Sequence, residues 1–355
     1  MESIVLIIDS LVTGGAETTN IRLADMFLEA GFDVHIISIK DNKELHISKN
    51  IKVDTLAYKK RKKLFNHKYY SKLLENKLNQ IKNKKLILGS LGLSHKLMNI
   101  IDKKFNFYYV LHGTTTKAKL DTKKGLSRLI KKNELENLYN NKNIICVSKG
   151  VEKDILSLNI KPKSIQTIYN PFNFTYIKEL SEKNINIQLP EKYIVHVGRF
   201  AKVKRHDILI QSFSLLKDKT LKLVLVGDGE ERKNIEELIK KLGLEKKIIL
   251  LGFLENPYPI IKKAKLLVLS SENEGFGNVL IEAMILNTNV VSTNAPTGPS
   301  EILIDSLSEN LAEVNNYKDL QMKINHALSN MNIINYPISQ YKEEVIQKEY
   351  FNLFE

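Results

Sequence analysis

The sequence lacks the features that mark disulfide-rich secreted proteins and membrane-spanning proteins. Its 355 residues include a single cysteine, Cys146, and no tryptophan. One cysteine excludes a disulfide framework, and because Cys146 lies in the apolar run NIICV we expect it in the core rather than in catalysis. No segment approaches the roughly 18 consecutive apolar residues of a membrane helix. The N-terminus enters the apolar run Ile4–Asp9 without a signal-peptide pattern, so we expect a cytoplasmic protein.

A carboxylate pair in the pattern Asp-x-Asp is also missing from the sequence. Such a pair commonly holds a divalent metal ion against a diphosphate. If this protein binds a diphosphate, cationic side chains and helix N-termini must neutralise it instead. We therefore expect no metal site.

The chain does carry a large positive charge, +14 at pH 7. This charge suits an anionic substrate, an anionic membrane surface or nucleic acid. Aromatic residues make up only 8% of the chain, and no helix-turn-helix, zinc or RNA-binding motif is recognisable, which argues against nucleic acid. Two segments concentrate the charge: Tyr58–Lys63, with the sequence YKKRKK, and Lys117–Lys132, in which Leu120, Leu126, Leu129 and Ile130 are interspersed. Each segment is either a solvated face or an interfacial segment that touches anionic lipid headgroups.

Alternating apolar runs and helical patterns predict two doubly wound, Rossmann-like α/β domains that face each other across a cleft. We place the first domain at residues 1–170, the second at 171–335, and a C-terminal helix at 336–355 that crosses back to the first domain. The polar stretch 170–190 is predicted to be the linker. The predicted strands are Ile4–Asp9, Val34–Ile39, Ile51–Thr55, Lys85–Leu88, Phe107–Leu111, Asn143–Val147, Ile165–Tyr169, Tyr193–Val197, Leu221–Val226, Ile248–Leu251, Leu266–Leu269 and Val290–Thr293.

The most informative stretch is Leu266–Asn287, which reads as a buried strand, an acidic glycine loop and a helix. A helix start offers free N–H groups to an anion, and Gly275 and Gly277 let the backbone approach it closely. Carboxylates do not bind phosphate, so Glu274 and Glu282 need another role, and accepting hydrogen bonds from hydroxyl groups suits them. A phosphate flanked by hydroxyl groups describes a nucleotide sugar.

Other strand ends carry compatible chemistry. Arg199 and Lys204 follow the strand Tyr193–Val197 and suit a diphosphate. His112 follows Phe107–Leu111 and can bind a sugar hydroxyl or act as an acid or base; a structural role is the plain alternative. Further turns contain glycines that permit close backbone approach, namely Gly14, Gly15, Gly198 and Gly227. The turn after Ile248–Leu251 also places the apolar side chain of Phe253 beside an accessible backbone.

These motifs resemble those of the retaining glycosyltransferases of family 4, which have the two-domain GT-B fold. The resemblance covers nearly the whole chain. The matching segments occur in the family's order: GGAE at 14–17, VGRFAKVKRHD at 197–207, LVLVGDGEER at 223–232, SENEGFGNVLIEAM at 271–284 and TGPSEIL at 297–303. One departure is Arg205-His206, where many relatives have Gly or Asn after the lysine.

The resemblance implies a role for each matching residue. Glu274 would hold the donor sugar's hydroxyls and Glu282 the ribose hydroxyls, while Arg199 and Lys204 would neutralise the leaving diphosphate. His112 would face the far end of the donor sugar. The remaining donor contacts would come from Gly14, Gly15, Gly198, Gly227, Phe253, Gly275, Phe276, Gly277, Asn278 and Val279.

The activity implied is metal-independent, retaining transfer of a hexose or N-acetylhexosamine from a nucleotide sugar, expected to be a UDP-sugar, to a saccharide acceptor. A lipid-linked acceptor at the cytoplasmic face of the inner membrane would explain the basic segments, and surface-polysaccharide or lipooligosaccharide assembly is the expected context. Three alternatives stay open on the sequence: a sugar-nucleotide epimerase of the same fold, a non-catalytic nucleotide-sugar-binding protein, and a basic nucleic-acid-binding protein.

Overall fold

The computed structural model describes residues 1–59, 63–121, 123–330 and 336–354. The chain forms two compact units. The first comprises Met1–Pro171 together with the chain from Glu343 onward, and the second comprises Phe172–Lys342. None of the helices in the described ranges is long and apolar enough to cross a bilayer.

The first unit is a parallel sheet with helices between its strands. Its strands run in the spatial order β3-β2-β1-β4-β5-β6-β7. The elements in chain order are β1 (Ser3–Ile8), α1 (Gly15–Glu29), β2 (Asp33–Ser38), β3 (Lys52–Thr55), α2 (Lys63–Gln80), β4 (Lys84–Ser90), α3 (Gly92–Ile101), β5 (Phe107–Leu111), α4 (Thr115–Lys119), α5 (Gly125–Tyr139), β6 (Asn143–Cys146), α6 (Lys149–Leu156) and β7 (Ser164–Thr167).

The second unit repeats this plan with the order β10-β9-β8-β11-β12-β13. Its elements are α7 (Phe174–Ser181), β8 (Tyr193–Val197), the 3-10 helix Lys202–Lys204, α8 (His206–Ser214), β9 (Lys222–Val226), α9 (Arg232–Lys241), β10 (Ile248–Gly252), α10 (Tyr258–Lys263), β11 (Leu266–Leu269), α11 (Asn278–Ile285), β12 (Val290–Thr293), α12 (Pro299–Ile302), β13 (Leu311–Ala312) and α13 (Tyr317–Ser329).

The buried strands explain why the sequence folds this way. Ser3–Ile8 and Leu266–Leu269 are buried along their whole length, as expected for parallel strands covered by helices on both faces. Each predicted strand is present, and its ends lie within two residues of the predicted positions. The prediction of two Rossmann-like α/β units is therefore confirmed.

The strand order fixes where a ligand is expected in each unit. In the first unit β1 lies between β2 and β4, and in the second β8 lies between β9 and β11. The chain direction of strand addition reverses at these central pairs, and the loops at the carboxyl ends of such strands form the usual binding crevice. Functional residues are therefore expected in the loops that follow β1, β4, β8 and β11.

Two elements depart from the sequence prediction. The stretch 170–190, predicted to be a linker, contains α7, which belongs to the second unit. Its position is fixed by packing, since Asn256 Nδ2 donates a hydrogen bond of 2.8 Å to the Leu180 carbonyl. The edge strand β13 was not predicted, because two residues are too short to give a periodic signal.

The last helix, α14 (Glu343–Phe351), packs within the first unit. The Tyr350 ring lies edge-on to Phe27 of α1 at 5.6 Å, and Phe351 lies 5.6 Å from Phe32. Farther along, the Tyr108 hydroxyl donates to the Leu353 carbonyl at 3.1 Å. These aromatic contacts attach the end of the described chain to α1 and β5.

Candidate active site

The centre of the second unit's site is an ion pair between Lys204 and Glu274. Lys204 ends the short 3-10 helix after β8, and Glu274 lies in the loop after β11. Because β8 and β11 are neighbouring strands, with Leu266 opposite Ile194, their carboxyl ends bring these loops together. The Lys204 Nζ lies 2.6 Å from Glu274 Oε1, and the two side chains are 23% and 11% exposed. The residue predicted to hold the donor sugar and a residue predicted to neutralise the adjoining diphosphate therefore contact each other directly.

The loop that carries Glu274 is anchored on the Lys204 side. Ser270 Oγ donates a 2.8 Å hydrogen bond to the Lys204 carbonyl. The backbone N–H of Glu272 donates to the Val203 carbonyl at 2.9 Å. The spacing of Lys204 and Glu274 is thus set by main-chain contacts as well as by their own charges.

The same loop is also held from its other side, by the segment after β12. Thr297 Oγ1 donates to the Glu274 carbonyl. Gly298 has a φ of +86°, and a Cβ added there would lie 2.0 Å from the Phe276 carbonyl oxygen. Only glycine permits both this backbone conformation and this close approach. The TGPSE segment therefore supports the acidic loop, which explains a sequence motif that carries no obvious chemistry.

The acidic loop leads directly into α11. The Phe276 side chain is buried and packs 5.2 Å from the Tyr341 ring, so only its backbone is available to a ligand. Gly277 precedes α11 with a φ of +99°, and Asn278 and Val279 are the helix's first half-buried residues. Glu282 is 9% exposed, one turn into α11. A helix N-terminus beside a glycine loop suits a phosphate group.

The glycines after β8 and β9 have a packing role that the sequence did not reveal. A Cβ at Gly227 would lie 2.0 Å from the Gly198 carbonyl oxygen, and one at Gly229 would lie 2.6 Å from the Phe200 carbonyl oxygen. The Phe200 N–H also donates to the Asp228 carbonyl at 2.9 Å. These turns are glycine-rich because two loops press against each other. Donor contact by Gly198 and Gly227 stays a prediction.

Two predicted donor contacts lie at the edges of this region. Arg199 is exposed immediately after Gly198. Phe253 is also exposed, next to Gly252, whose carbonyl accepts a 2.8 Å hydrogen bond from the Gly227 N–H. The structure therefore brings Lys204 and Glu274 into direct contact, whereas Arg199 and Phe253 present open side chains.

Arg205, which departs from the family pattern, forms ion pairs and a hydrogen bond with three neighbouring side chains. It occupies the left-handed backbone region with a φ of +49°. Its guanidinium pairs with Asp207 at 2.8 Å and with Glu272 at 3.6 Å, and it also donates to the Asn315 side chain. Because Glu272 belongs to the acidic loop, Arg205 adds a further link between that loop and the start of α8.

His206 is part of a buried aromatic cluster beneath the site. Its ring lies 4.6 Å from His196 and 4.8 Å from Phe200. His196 Nδ1 lies 2.9 Å from the Val268 carbonyl oxygen, so this nitrogen carries the proton. Burial lowers the pKa of His196 to about 4 and that of His206 as well, so both imidazoles are neutral at pH 7.

In the first unit, His112 begins a hydrogen-bond chain that ends on α1. His112 Nε2 lies 3.1 Å from Ser90 Oγ, Ser90 Oγ donates to Asn20 Oδ1 at 2.9 Å, and Asn20 Nδ2 donates to the Ala16 carbonyl at 2.8 Å. Since the Ser90 proton is used on Asn20, His112 Nε2 must be the protonated nitrogen. Burial lowers the pKa of His112 to about 4. A neutral imidazole suits hydrogen bonding to a hydroxyl better than proton donation at pH 7.

The glycine turn at the start of α1 lies in the same unit. Gly15 is exposed, and a Cβ there would meet no atom within 4 Å. A Cβ at Gly14 would meet the Glu17 carboxylate, a flexible side chain. The open backbone of this turn leaves room for close approach of a ligand, and donor contact by Gly14 and Gly15 stays a prediction.

Sequence reasoning missed three polar residues in the first unit. Ser90 and Asn20 hold His112, and their only sequence signal was that Ser90 follows an apolar strand. Lys119 on α4 lies with its Nζ 5.8 Å from the centre of the Tyr139 ring. Burial, aided by nearby cations, lowers the pKa of Lys119 to about 8. In the sequence, nothing distinguishes Lys119 from the other cationic residues of the basic segment Lys117–Lys132.

Asp9 is another polar residue at a strand end, immediately after β1. Its carboxylate accepts hydrogen bonds from the backbone N–H groups of Leu93 at 3.0 Å and Ser94 at 2.7 Å, at the start of α3. Burial raises its pKa despite these bonds. Asp9 therefore fixes α3 to the end of β1. Across the described parts of the chain, no group of three or more His, Cys, Asp and Glu side chains is arranged to hold a metal ion.

Comparison with known proteins agrees with this architecture. Residues 13–176 match the profile described as Glycosyltransferase Family 4, and residues 177–343 match that described as Glycosyl transferases group 1. A Campylobacter jejuni protein is 31% identical over 337 residues, covering 89% of this chain and 87% of its own. It is named N-acetylgalactosamine-N,N'-diacetylbacillosaminyl-diphospho-undecaprenol 4-alpha-N-acetylgalactosaminyltransferase. The poly(ribitol-phosphate) alpha-N-acetylglucosaminyltransferase of Staphylococcus aureus is 28% identical, covering 85% of this chain and 61% of its own.

Solved structures share the fold at lower identity. The Anabaena protein HepE, crystallised with UDP and glucose, superposes with a TM-score of 0.79 at 18% identity, over 99% of each chain. Staphylococcus aureus TarM, in a complex that includes UDP, gives a TM-score of 0.74 at 16% identity over 100% of each chain. Both structures have the GT-B fold, and at this identity the similarity shows the fold alone.

Proposed function

We propose that this chain, which belongs to the family 4 glycosyltransferases of the GT-B fold, moves an N-acetylhexosamine or a hexose from a UDP-sugar to a lipid-linked saccharide. The anomeric configuration of the sugar is retained and no metal ion is required. The observation that carries the proposal is the Lys204–Glu274 pair at the carboxyl ends of β8 and β11. Relatives named for N-acetylgalactosaminyl and N-acetylglucosaminyl transfer support the sugar class, and a UDP-bound neighbour of the same fold supports the nucleotide.

The proposed donor lies along the acidic loop. Glu274 accepts hydrogen bonds from the sugar hydroxyls, and Glu282 from the ribose hydroxyls. The diphosphate meets Lys204, Arg199 and the start of α11, where the dipole and free N–H groups favour an anion. When the diphosphate arrives, the Lys204 ammonium is shared between the phosphate oxygens and Glu274.

The proposed reaction proceeds on one face of the sugar. The bond between the sugar's anomeric carbon and the diphosphate oxygen breaks, and its electrons stay on the diphosphate. The acceptor hydroxyl forms the new bond from the same side and gives its proton to the leaving phosphate oxygen. Lys204 and Arg199 stabilise the charge that develops on the diphosphate, which is the step where a preorganised cation has most effect.

The acceptor is proposed to be lipid-linked because one relative's name specifies a saccharide on diphospho-undecaprenol. In a bacterial cell such an acceptor would place the enzyme at the cytoplasmic face of the inner membrane, attached peripherally through basic segments of the first unit. Residues 60–62, the centre of the segment Tyr58–Lys63, lie outside the described residues. The second basic segment, Lys117–Lys132, includes the start of α5.

The proposal is tested in two steps with purified protein. Thermal unfolding is first measured with UDP-GlcNAc, UDP-GalNAc, UDP-glucose and UDP, and the true donor should raise the midpoint. The best donor is then supplied with a pool of lipid-linked saccharides in excess chelator, and UDP release is followed. Acceptor-dependent release is the expected result. An altered free nucleotide sugar without any acceptor would indicate an epimerase, and binding without turnover would indicate a non-catalytic protein.

A further inference from the structure

The N-terminal part of α5 lies on the surface of the first unit. Every residue from Lys123 to Ile130 is exposed, whereas Leu135, Leu138 and Tyr139 at the end of the same helix are buried. The C-terminal end of the helix is thus packed into the unit, while near its start the Arg128 guanidinium donates a 3.3 Å hydrogen bond to the Leu120 carbonyl. An amphipathic helix normally turns its apolar face to the core, so an exposed apolar face here calls for a partner.

Three large aliphatic side chains form that exposed face. Leu126, Leu129 and Ile130 are 73%, 60% and 53% exposed. Their spacing of three and four residues places them on one side of the helix. Leu120, in the same basic run of sequence, is only 1% exposed and belongs to the core. The structure therefore separates one core residue from three surface residues that the sequence pattern could not distinguish.

Cations lie along the same segment as this aliphatic face. Lys123 and Lys124 immediately precede α5, and Arg128, Lys131 and Lys132 lie along it. The last three pair with acids: Arg128 with Asp121 at 3.6 Å, Lys131 with Glu134 at 2.7 Å and Lys132 with Glu136 at 3.8 Å. The positive charge in excess is therefore concentrated at the N-terminal end of the helix, next to Leu126.

The geometry points to the start of α5 as a membrane anchor: Leu126, Leu129 and Ile130 insert into the headgroup and acyl boundary of an anionic bilayer while Lys123 and Lys124 contact lipid phosphates. This deepens the proposed function by naming the docking element, and it rests on that proposal only for the choice of a lipid-linked acceptor. An aliphatic face bordered by lysines is complementary to a negatively charged lipid surface. A protein partner with an acidic, apolar groove is the competing occupant, and the experiments below separate the two.

Direct insertion is measurable because the chain contains no tryptophan. Leu129→Trp places a single fluorophore on the aliphatic face, and Met322→Trp places one on α13, where Met322 is exposed without a second exposed large apolar side chain on the helix. With vesicles of phosphatidylethanolamine and phosphatidylglycerol, the Leu129→Trp emission should shift to the blue and be quenched by brominated lipid. Met322→Trp should keep a water-like spectrum. An unshifted Leu129→Trp spectrum with vesicle-bound protein would overturn the proposal.

The energetic contribution is tested by flotation with the same vesicles. Changing Leu126, Leu129 and Ile130 together to Gln should weaken partition about a hundredfold, or about fivefold for each side chain removed from the interface. Lys123→Gln with Lys124→Gln should weaken it by at least tenfold at low salt and less at high salt. The matched control changes the exposed Leu215, Leu242 and Met322 to Gln, and its binding should equal that of the wild type.

Two further outcomes separate this inference from the proposed activity. The triple Gln variant should transfer sugar to a detergent-solubilised acceptor at the wild-type rate, since it changes only surface side chains. Vesicle binding by a wild type that never transfers sugar would refute the activity and leave the anchor in place. Wild-type-like vesicle binding by the triple variant, or loss of self-association instead of vesicle binding, would refute the anchor.

Discussion

Replacing Lys204 separates the proposed catalytic role of the Lys204–Glu274 pair from its structural role. Lys204→Met keeps the length of the side chain and removes the ammonium. It leaves the Glu274 carboxylate, whose side chain is 11% exposed, without the partner that lies 2.6 Å away. Removing one member of a fully buried pair typically costs about 3–5 kcal/mol, and an exposed pair is worth less than about 1 kcal/mol. For this partly buried pair we expect a loss of about 1–2 kcal/mol in the free energy of unfolding.

The double variant Lys204→Met with Glu274→Gln removes the unpaired charge. Its free energy of unfolding should therefore recover most of what Lys204→Met alone lost. Turnover should behave differently. If the ammonium also stabilises the departing diphosphate, as proposed, kcat should fall about 10²–10³-fold in Lys204→Met and should not recover in the double variant.

The assays are urea unfolding and steady-state UDP release at saturating donor. Lys202→Met serves as the matched control, since Lys202 lies in the same 3-10 helix but is exposed. It should change neither stability nor turnover measurably. Recovery of kcat in the double variant would refute the reasoning, because Lys204 would then act only by balancing the charge of Glu274. Near-normal kcat in Lys204→Met would refute the diphosphate assignment itself.

Three other predictions follow from the described contacts. Gly298→Ala should lower the free energy of unfolding by about 2 kcal/mol or more and should also lower kcat, because its Cβ would displace the Phe276 carbonyl. The control is Gly243→Ala, at a position that also has a positive φ but an open environment. It should lose only about 1 kcal/mol and keep a normal kcat. Glu282→Gln should raise KM for the UDP-sugar about tenfold with little change in kcat, and an unchanged KM would contradict its ribose role. Burial lowers the pKa of His95 to about 3, so below pH 6.5 the unfolded state binds more protons than the folded state, and the free energy of unfolding falls as the pH decreases. His95 alone should account for about 2 kcal/mol of the loss between pH 7 and pH 5. Urea unfolding of His95→Gln at both pH values should lack this share of the loss.

The elements of the fold were predictable because buried parallel strands leave a clear trace in sequence. Runs such as Leu266–Leu269 are apolar throughout, and glycine or polar residues end them. The prediction that Lys204 and Glu274 serve one ligand follows from the same logic, since each residue lies after a central strand of one sheet. Strand order, however, is a property of the folded unit, so the sequence placed these residues near one ligand without revealing that they contact each other.

The parts that sequence reasoning missed depend on distant partners. His112 is held by Ser90, which lies 22 residues away, and Ser90 by Asn20, 70 residues away. Nothing local in the sequence marks those pairs. Gly227 and Gly298 are similar cases, because at each position a side chain would collide with a backbone carbonyl of another loop. The helix α7 was predicted to be part of a linker because its eight residues, about two turns, are too few to establish a helical period.

The most direct test of the proposed activity is the anomeric configuration of the product. The purified protein is incubated in chelator with its UDP-sugar and a saccharide linked to diphospho-undecaprenol, and the new glycosidic bond is examined by NMR. The account predicts a lipid-linked saccharide longer by one sugar, whose anomeric configuration is that of the donor, and one UDP released for each bond formed. A product with inverted configuration, or UDP release that does not depend on the acceptor, would contradict it.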